Sequence, residues 1–160
     1  MRLAEQTGAS FARKGVKLVY GGAAIGMMGA MADAALSAGG EVIGVIPQNL
    51  MIKEVAHENL SRLIITEDMH TRKKAMFDMA DAFLTLPGGL GTLDETLEIM
   101  SWKYLGLHIK PILILNHEGF YDSLLEQFRR CTADNVMRHG LDKLWRTCKT
   151  LEEAFSALSI

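Results

Sequence analysis

Short runs of β-branched and other apolar residues alternate along the chain with longer amphipathic segments. The short runs predict strands at residues 17–20, 41–46, 62–66, 82–86 and 111–115. The amphipathic segments predict helices at residues 28–38, 69–80, 92–104 and 121–131, and two more at 3–14 and 151–158. This alternation is typical of βαβ units, in which helices cover both faces of a parallel sheet. We therefore expect one domain, residues 1–160, with a doubly wound, Rossmann-like α/β fold.

The beginning of the chain departs from that fold. A doubly wound domain normally begins with a central strand and a glycine turn, whereas this sequence opens with the helix predicted at residues 3–14. A sheet without its first strand leaves backbone groups unpaired at the gap, and this is costly unless another segment fills it. We therefore expect that the first strand is missing because the start of the sequence is truncated.

The composition fits a single core and disfavours several classes of partner. The 160 residues are 49% hydrophobic and carry a formal charge of -2, so the chain lacks a broad positive field that would attract nucleic acid or an anionic membrane. The first residues lack the apolar core of a signal peptide, and no apolar run reaches the roughly 18 residues that cross a bilayer. We expect a cytoplasmic protein that binds neither nucleic acid nor a membrane.

Cysteine and methionine add little to the functional picture. Cys131 and Cys148 match none of the spacings that bind metals, and two thiols are ordinary in a reducing compartment. The ten methionines include several at helical spacing, which favours core packing over a soft binding surface. We therefore expect neither a metal site nor a functional disulfide.

Two glycine-rich clusters each follow a predicted strand and precede a predicted helix. One spans residues 21–29, and the other is Pro87-Gly88-Gly89-Leu90-Gly91-Thr92. Glycine lets a backbone approach a ligand closely, and a helix start offers free N–H groups and partial positive charge, so such a junction can bind an anion. Neither cluster has the pattern of a Walker loop or of a dinucleotide site. Both could also serve only as tight turns, an alternative that is stronger for the first cluster.

Acidic residues follow the second cluster at Asp94, Glu95 and Glu98. They could simply complement the helix dipole, and Thr92 with Glu95 has the spacing of a capping box. A bound phosphate repels a nearby carboxylate, however, so anion binding alone gains little from this placement. Glu95 would be useful if it faced a sugar, where positive charge develops as a glycosidic bond breaks.

A cationic run, Met69-His70-Thr71-Arg72-Lys73-Lys74, opens the helix that follows the strand at residues 62–66. Cations at a helix start oppose the helix dipole, so the run costs stability unless anions answer it. Arg72 can hold a phosphate or a carboxylate through two parallel hydrogen bonds, which lysine does less well. These features favour a functional site over a solvated charged surface. His70 is weaker evidence, because a lone histidine more often satisfies a local hydrogen bond.

Together these motifs resemble the cytokinin riboside 5'-monophosphate phosphoribohydrolases, the LONELY GUY family, whose members are often labelled lysine decarboxylases. The resemblance covers nearly the whole chain. Its most specific part is the Arg72-Lys73 element combined with the Pro-Gly-Gly-x-Gly-Thr-x-x-Glu element that ends at Glu95. Further matches are Val19-Tyr20-Gly21-Gly22, Gly26-Met27-Met28-Gly29, residues 39–47, Trp102, Leu105-Gly106 and Lys110-Pro111. The residue departures are mild, for example Ala23 in place of a third glycine. The missing first strand and its Gly-Ser turn are a larger departure, because that turn helps form the nucleotide pocket of the family.

The resemblance implies a set of site residues. Arg72 and Glu95 would be the catalytic pair, and Glu54, Lys73 and Ser101 would contact the nucleotide. The 5'-phosphate would lie on the turn formed by Gly88, Gly89, Leu90, Gly91 and Thr92. The resemblance implies no metal or organic cofactor, and it implies a homodimer or a larger homo-oligomer.

The reaction that we expect is hydrolysis of the N-glycosidic bond of a purine riboside 5'-monophosphate, either AMP or an N6-modified cytokinin form, to free base and ribose 5-phosphate. Glu95 would stabilise the positively charged sugar or align water, while Arg72 would fix Glu95 and the substrate. One alternative is a nucleotide carrier or sensor that uses the same turn without cleavage. A second is a decarboxylase, which needs pyridoxal phosphate on a lysine. Nothing in the sequence marks a partner for the pyridine nitrogen.

Overall fold

A computed structural model describes residues 1–51, 56–137, 140 and 143–160. The chain consists of two compact units, Met1–Ala80 and Asp81–Ile160, which are described in turn. Within the described residues, no helix is both long enough and apolar enough to cross a membrane.

The first unit is a three-stranded parallel sheet with three helices. In chain order its elements are α1 (Arg2–Arg13), β1 (Leu18–Tyr20), α2 (Gly26–Ser37), β2 (Val42–Pro47), a short 3-10 helix (Gln48–Leu50), β3 (Arg62–Thr66) and α3 (Met69–Met79). The strand order is β1-β2-β3. Every residue of the central strand β2 is buried, as expected for a parallel strand whose sequence is apolar without alternation.

The helices α1 and α2 pack closely because small residues line their contact. A Cβ atom on Gly8 would lie 2.0 Å from the backbone oxygen of Met31, so only glycine fits there. A core of buried residues joins the sheet to α2, and Phe11 of α1 packs against it: Leu18, Tyr20, Ala32, Ala35 and Val42. This core includes Tyr20 at the carboxyl end of β1, where the first glycine cluster begins.

The second unit has the same plan with its own core. Its elements are β4 (Phe83–Thr85), α4 (Leu90–Tyr104), β5 (Ile112–Leu115), a short 3-10 helix (His117–Gly119), α5 (Asp122–Ala133), β6 (Arg146–Cys148) and α6 (Leu151–Leu158). The parallel strands have the order β4-β5-β6. The core contains Met100 of α4, Ile112 and Ile114 of β5, and Tyr121.

The structure confirms the α/β class and all five predicted strands and six predicted helices. Their observed bounds differ from the predicted ones by at most two residues at either end. The sixth strand, β6, was not predicted, and it extends the second sheet beyond β5. The single domain stays a prediction.

Candidate active site

The turn between β4 and α4 has the geometry of an anion site. The helix begins at Leu90 with Gly89 as its N-cap, and no side chain caps it. The first backbone N–H groups of an α-helix have no carbonyl partner within the helix, and the dipole places partial positive charge beside them. The first turn of α4 therefore offers N–H donors to a phosphate, as the glycine pattern predicts.

The glycines of this turn serve different purposes. A Cβ atom on Gly88 would lie 2.2 Å from Oγ1 of Thr92, so Gly88 is required by the packing of the turn itself. A Cβ atom on Gly89 or on Gly91 would meet no atom within 4 Å. Neither of these two glycines has a positive φ. Local structure therefore does not require glycine at either position, and both leave the start of α4 open to close approach.

The capping box suggested by Thr92 and Glu95 is not formed. Thr92 lies inside α4, two residues after its start, and Gly89 occupies the N-cap position. Glu95 follows within the next turn and is partly buried. Next to it, the buried Thr96 donates from Oγ1 to the backbone oxygen of Thr92 (2.7 Å) and hydrogen-bonds to Oγ1 of Thr85 (2.9 Å). These bonds tie α4 to β4 and so hold the turn and Glu95 at a fixed rotation.

Ser101 lies farther along α4 and is exposed. Ser101 is six positions after Glu95, and at about 100° per residue the two side chains leave different sides of the helix. The structure therefore does not bring Ser101 to the side of α4 that carries Glu95, and its contact with the nucleotide stays a prediction.

Arg72 lies on α3 in the first unit and is buried, with 7% of its surface exposed. Its Nε–H donates to the backbone oxygen of Val45 on β2 (3.0 Å). A Cβ atom on Gly21 would lie 2.2 Å from the Nη2 atom of Arg72. The guanidinium is thus packed directly against the first glycine cluster, and Gly21 is needed to make room for it.

The helix that carries Arg72 begins with a strong cap. The carboxylate of Asp68, the N-cap of α3, accepts hydrogen bonds from the Thr71 N–H (2.7 Å) and from the Thr71 hydroxyl (2.8 Å). The backbone bond from Thr71, followed by its side-chain bond, holds the pKa of Asp68 below its ordinary value. The negative charge of Asp68 offsets the unfavourable interaction of the cationic run with the positive end of the helix dipole.

The other residues of that run differ from Arg72. Lys74 is exposed and forms an ion pair with Asp78 one turn along α3, so the interpretation as a solvated charge is correct for this lysine. Lys73 is partly buried and His70 is exposed. Glu54, which the resemblance places against the nucleotide, lies outside the described residues.

The structure also reveals a buried histidine that the sequence did not single out. His57 is 5% exposed, and its backbone N–H donates to the Gly22 oxygen (2.9 Å). Its Nδ1 accepts from the Asn59 N–H (3.2 Å), and its Nε2 lies 3.0 Å from a carboxylate oxygen of Asp33 on α2. Because Nδ1 is an acceptor, the neutral ring carries its proton on Nε2 and donates it to Asp33. His57 thereby braces the first glycine cluster against α2.

The same cluster is supported from β1 by Tyr20. The Tyr20 hydroxyl donates to the backbone oxygen of Ala23 (3.2 Å). Burial, with a smaller contribution from the charge of Asp33, holds the pKa of Tyr20 well above its ordinary value, so this phenol acts as a hydrogen-bond donor and not as a base. No spacing in the sequence indicates either support, because both act on backbone oxygens.

These features define a Rossmann-like α/β protein with a glycine turn that has the geometry of an anion site and with a buried arginine packed against the other, first glycine cluster. A family described as "Possible lysine decarboxylase" matches residues 28–158. A cytokinin riboside 5'-monophosphate phosphoribohydrolase from Rhodococcoides fascians is 42% identical over 158 residues, which are 98% of this chain and 80% of that protein. The chain belongs to this phosphoribohydrolase family.

Plant relatives carry the same name. The protein from Oryza sativa subsp. japonica is 47% identical over 150 residues, and one from Arabidopsis thaliana is 46% identical over 120 residues. These matches cover 94% and 75% of this chain. The chain spans only 62% and 56% of the length of those two relatives.

Solved structures with a similar fold are more distant in sequence. The molybdenum cofactor binding protein of Rippkaea orientalis has a TM-score of 0.71 at 22% identity, covering 99% of this chain and 85% of that one. The molybdenum cofactor carrier protein of Chlamydomonas reinhardtii has a TM-score of 0.70 at 20% identity, with coverages of 99% and 84%. At this identity the likeness confirms the Rossmann-like fold and carries no information on the ligand.

Proposed function

We propose that this protein hydrolyses the N-glycosidic bond of a purine riboside 5'-monophosphate, AMP or an N6-modified cytokinin form. Water adds its hydroxyl group to the anomeric carbon, the bond to the base nitrogen breaks, and that nitrogen receives a proton. The products are free base and ribose 5-phosphate. The observation that carries the proposal is the uncapped N-terminus of α4, with the carboxylate of Glu95 little more than one turn further on.

The phosphate turn supplies binding energy at a distance from the reacting bond. A 5'-phosphate on the N–H groups of Gly89, Leu90, Gly91 and Thr92, in the turn that begins at Gly88, would be held by charge-assisted hydrogen bonds. Energy from such a non-reacting group can be used to position the glycosidic bond. We therefore assign the phosphate to this turn and the sugar to the side of Glu95.

Glu95 and Arg72 are the proposed catalytic residues. The transition state for glycosidic cleavage resembles an oxocarbenium ion, so a carboxylate near the sugar stabilises it or aligns the attacking water. Arg72 contributes a planar cation that is already oriented by its bond to Val45. Lys73 and Ser101 are proposed to contact the nucleotide.

The test is chromatography of the products after incubation with AMP and with isopentenyladenosine monophosphate. We expect free base and ribose 5-phosphate in equal amounts from at least one of the two substrates. Adenosine, which lacks the phosphate, should be a much poorer substrate. Absence of base release from both nucleotides would contradict the proposal.

The two alternative functions have less support. The carrier or sensor interpretation rests on fold neighbours at 20 to 22% identity, whereas relatives at 42 to 47% identity are named as phosphoribohydrolases. A decarboxylase would need an available lysine amine for pyridoxal phosphate. Nothing in the sequence marks a partner for the pyridine nitrogen of that cofactor. An absorbance scan of the purified protein for bound cofactor tests this alternative directly.

We further propose that the chain forms a homodimer or larger homo-oligomer through the end of α4 and the segment after it. Leu105, Leu107 and Ile109 are 67%, 67% and 93% exposed. On α4 itself, Tyr104 and Leu97 are 42% and 40% exposed. Apolar side chains this exposed and this close in sequence are unusual on a monomeric protein and are typical of an interaction site. A second copy of the chain is the proposed occupant.

A further inference from the structure

Tyr121 lies at the start of the phosphate turn, where its hydroxyl contacts backbone groups on both sides of Pro87. Its hydroxyl donates to the backbone oxygen of Leu86 (2.7 Å). The backbone N–H of Gly88 hydrogen-bonds to the same phenol and lowers its pKa, although burial raises that pKa by more. Pro87, between these two residues, has no N–H. One hydroxyl thus satisfies the carbonyl before the proline and the amide after it.

The position of Tyr121 is fixed from the sheet. Its backbone N–H donates to Oδ1 of Asn116 (2.7 Å), and Nδ2 of Asn116 donates to a carboxylate oxygen of Asp122 (2.7 Å). The backbone N–H of Asn116 donates to the oxygen of Cys148 at the end of β6 (2.7 Å). The ring itself packs in the core with Met100, Ile112 and Ile114. These contacts fix the position of the phenol relative to β5 and β6. Its position therefore does not depend on the turn that it supports.

We propose that Tyr121 is a positioning residue, whose hydroxyl holds the start of the turn at Leu86 and Gly88, sets the direction in which the Gly89–Thr92 amides point and thereby determines affinity for the 5'-phosphate. This inference rests on the proposed function. Tyr121 is only 3% exposed and its hydroxyl is used by two backbone groups, so it acts through the turn and does not touch the substrate. The turn leaves the sheet after Thr85, and its next N-cap, Gly89, has no side chain to anchor it.

Removal of the Tyr121 hydroxyl distinguishes its role in positioning the turn from the role of the ring in packing the core. Tyr121→Phe keeps the ring and removes both hydrogen bonds. We expect the KM for AMP to rise about tenfold, on the scale of one to two lost hydrogen bonds, while kcat falls by less than about threefold. The kcat/KM for adenosine, which has no phosphate to place on the turn, should stay unchanged.

Tyr20→Phe is the matched control. It also deletes a buried hydroxyl that donates to a backbone oxygen after a strand, but that oxygen belongs to Ala23 in the other unit. This variant should keep the wild-type ratio of kcat/KM for AMP over adenosine. If Tyr20→Phe lowers that ratio as much as Tyr121→Phe does, the effect is a general loss of stability and the inference is overturned.

The experiment measures steady-state kinetics with AMP and adenosine, together with calorimetric binding of AMP and of ribose 5-phosphate, which requires no turnover. If the wild type releases no base, the proposed function fails, and the AMP affinities of wild type and Tyr121→Phe still decide the role of Tyr121. Equal AMP affinity in the two proteins, or equal losses for AMP and adenosine, would overturn the inference.

Should Tyr121→Phe be insoluble, Asn116→Ser loosens the phenol without removing it. That variant should weaken AMP binding by a smaller factor, and unchanged binding would overturn the inference.

Discussion

At the scale of single residues, the burial of Arg72 is the feature that most needs a functional reason. Removing a guanidinium from water is costly, and a structural role alone is often served as well by an apolar residue. Here the charge is kept, its Nε–H is bonded to Val45, and Gly21 leaves the space that its Nη2 atom requires. A cation held this firmly is suited to act on an anionic or transition-state group.

Arg72→Lys is therefore expected to lower both stability and activity. The lysine ammonium cannot reproduce the planar fork, and the Val45 oxygen loses its Nε–H donor, which costs about 1 to 3 kcal/mol of unfolding free energy. We expect kcat/KM for AMP to fall at least about tenfold, as the loss of one positioned hydrogen bond predicts. Gly21→Ala provides a second test, because its Cβ displaces the guanidinium without changing its charge. Thermal denaturation and AMP hydrolysis measure both variants, and full activity in both would show that only the charge matters.

Glu95→Gln keeps the shape of the side chain and removes its charge. We expect a fall in kcat of about a hundredfold or more, the usual scale for loss of an acid/base or electrostatic group. The melting temperature should change little, because glutamine has the same shape as glutamate and can still hydrogen-bond. Asp94→Asn, the same change at the exposed neighbouring residue, is the control and should retain activity. Near-normal turnover by Glu95→Gln would leave this residue without a catalytic role.

At the scale of elements, the first turn of α4 contains a glycine where alanine would give a more stable helix, and this glycine leaves the backbone amides accessible. Glycine at a helix position costs up to about 1 kcal/mol relative to alanine, yet Gly91 has neither a positive φ nor a neighbour that a Cβ would meet. Gly88, three residues earlier, is crowded by Thr92. Substitution by alanine is therefore expected to have opposite effects on stability at Gly91 and at Gly88.

Gly91→Ala should keep or raise stability and weaken phosphate-dependent catalysis. We expect an unchanged or higher melting temperature together with a several-fold higher KM for AMP, because the added methyl group occupies the approach to the first-turn amides. Gly88→Ala should instead destabilise the fold by about 1 to 3 kcal/mol, as overpacking does. Differential scanning calorimetry and AMP kinetics on the two variants check this contrast. If Gly91→Ala has wild-type kinetics, the phosphate does not lie on this face of the turn.

The cap of α3 makes a prediction about pH. The pKa of Asp68 is lowered in the folded state, so its stabilising effect is present above the unfolded value of about 3.9 and is lost as the pH falls below it. Asp68→Asn can still cap the helix but does not titrate. The melting temperature of the wild type should therefore exceed that of the variant near neutral pH, and the difference should shrink as the pH falls through about 4 toward about 3. A difference that does not depend on pH would contradict this assignment.

The sequence predicts most elements because their patterns are local. The apolar run of β2 indicates a buried parallel strand, and both glycine clusters lie at strand ends as predicted. The pattern does not indicate β6, because two of its three residues are exposed and its pairing with β5 is distant in sequence. The pattern also starts α4 at Thr92, since a threonine three residues before a glutamate suggests a cap, whereas the chain uses Gly89.

The supports of the candidate site are harder to predict than its chemistry. Arg72 stands out in the sequence alone, because a cationic run at a helix start is unfavourable and only arginine offers a planar fork. His57 and Tyr121 hold the two glycine turns by binding backbone atoms that are 35 residues away in each case. Such bonds leave no spacing or motif, because any backbone carbonyl can accept them.

At the scale of the whole molecule, each unit has its own buried core, built around the central strand of its own sheet. The most exposed apolar residues do not belong to either core. Leu90 and Ile109 are 88% and 93% exposed, and Leu105 and Leu107 lie in the same C-terminal extension of α4 as Ile109. Burial of such surface against a partner is favourable by about 25 cal/mol per Å² of apolar area removed from water.

Ile109→Asp combined with Leu107→Asp should therefore shift the proposed homodimer or larger homo-oligomer to monomer. Two carboxylates in an apolar contact between copies would be desolvated without a partner charge, which costs several kcal/mol. Light scattering and sedimentation velocity at about micromolar concentration measure the mass of wild type and variant. Val136→Asp is the control, since Val136 is 75% exposed just after α5 and outside the proposed contact, and this variant should keep the wild-type mass. A monomeric wild type, or a double variant with the wild-type mass, would show that this segment does not join copies of the chain.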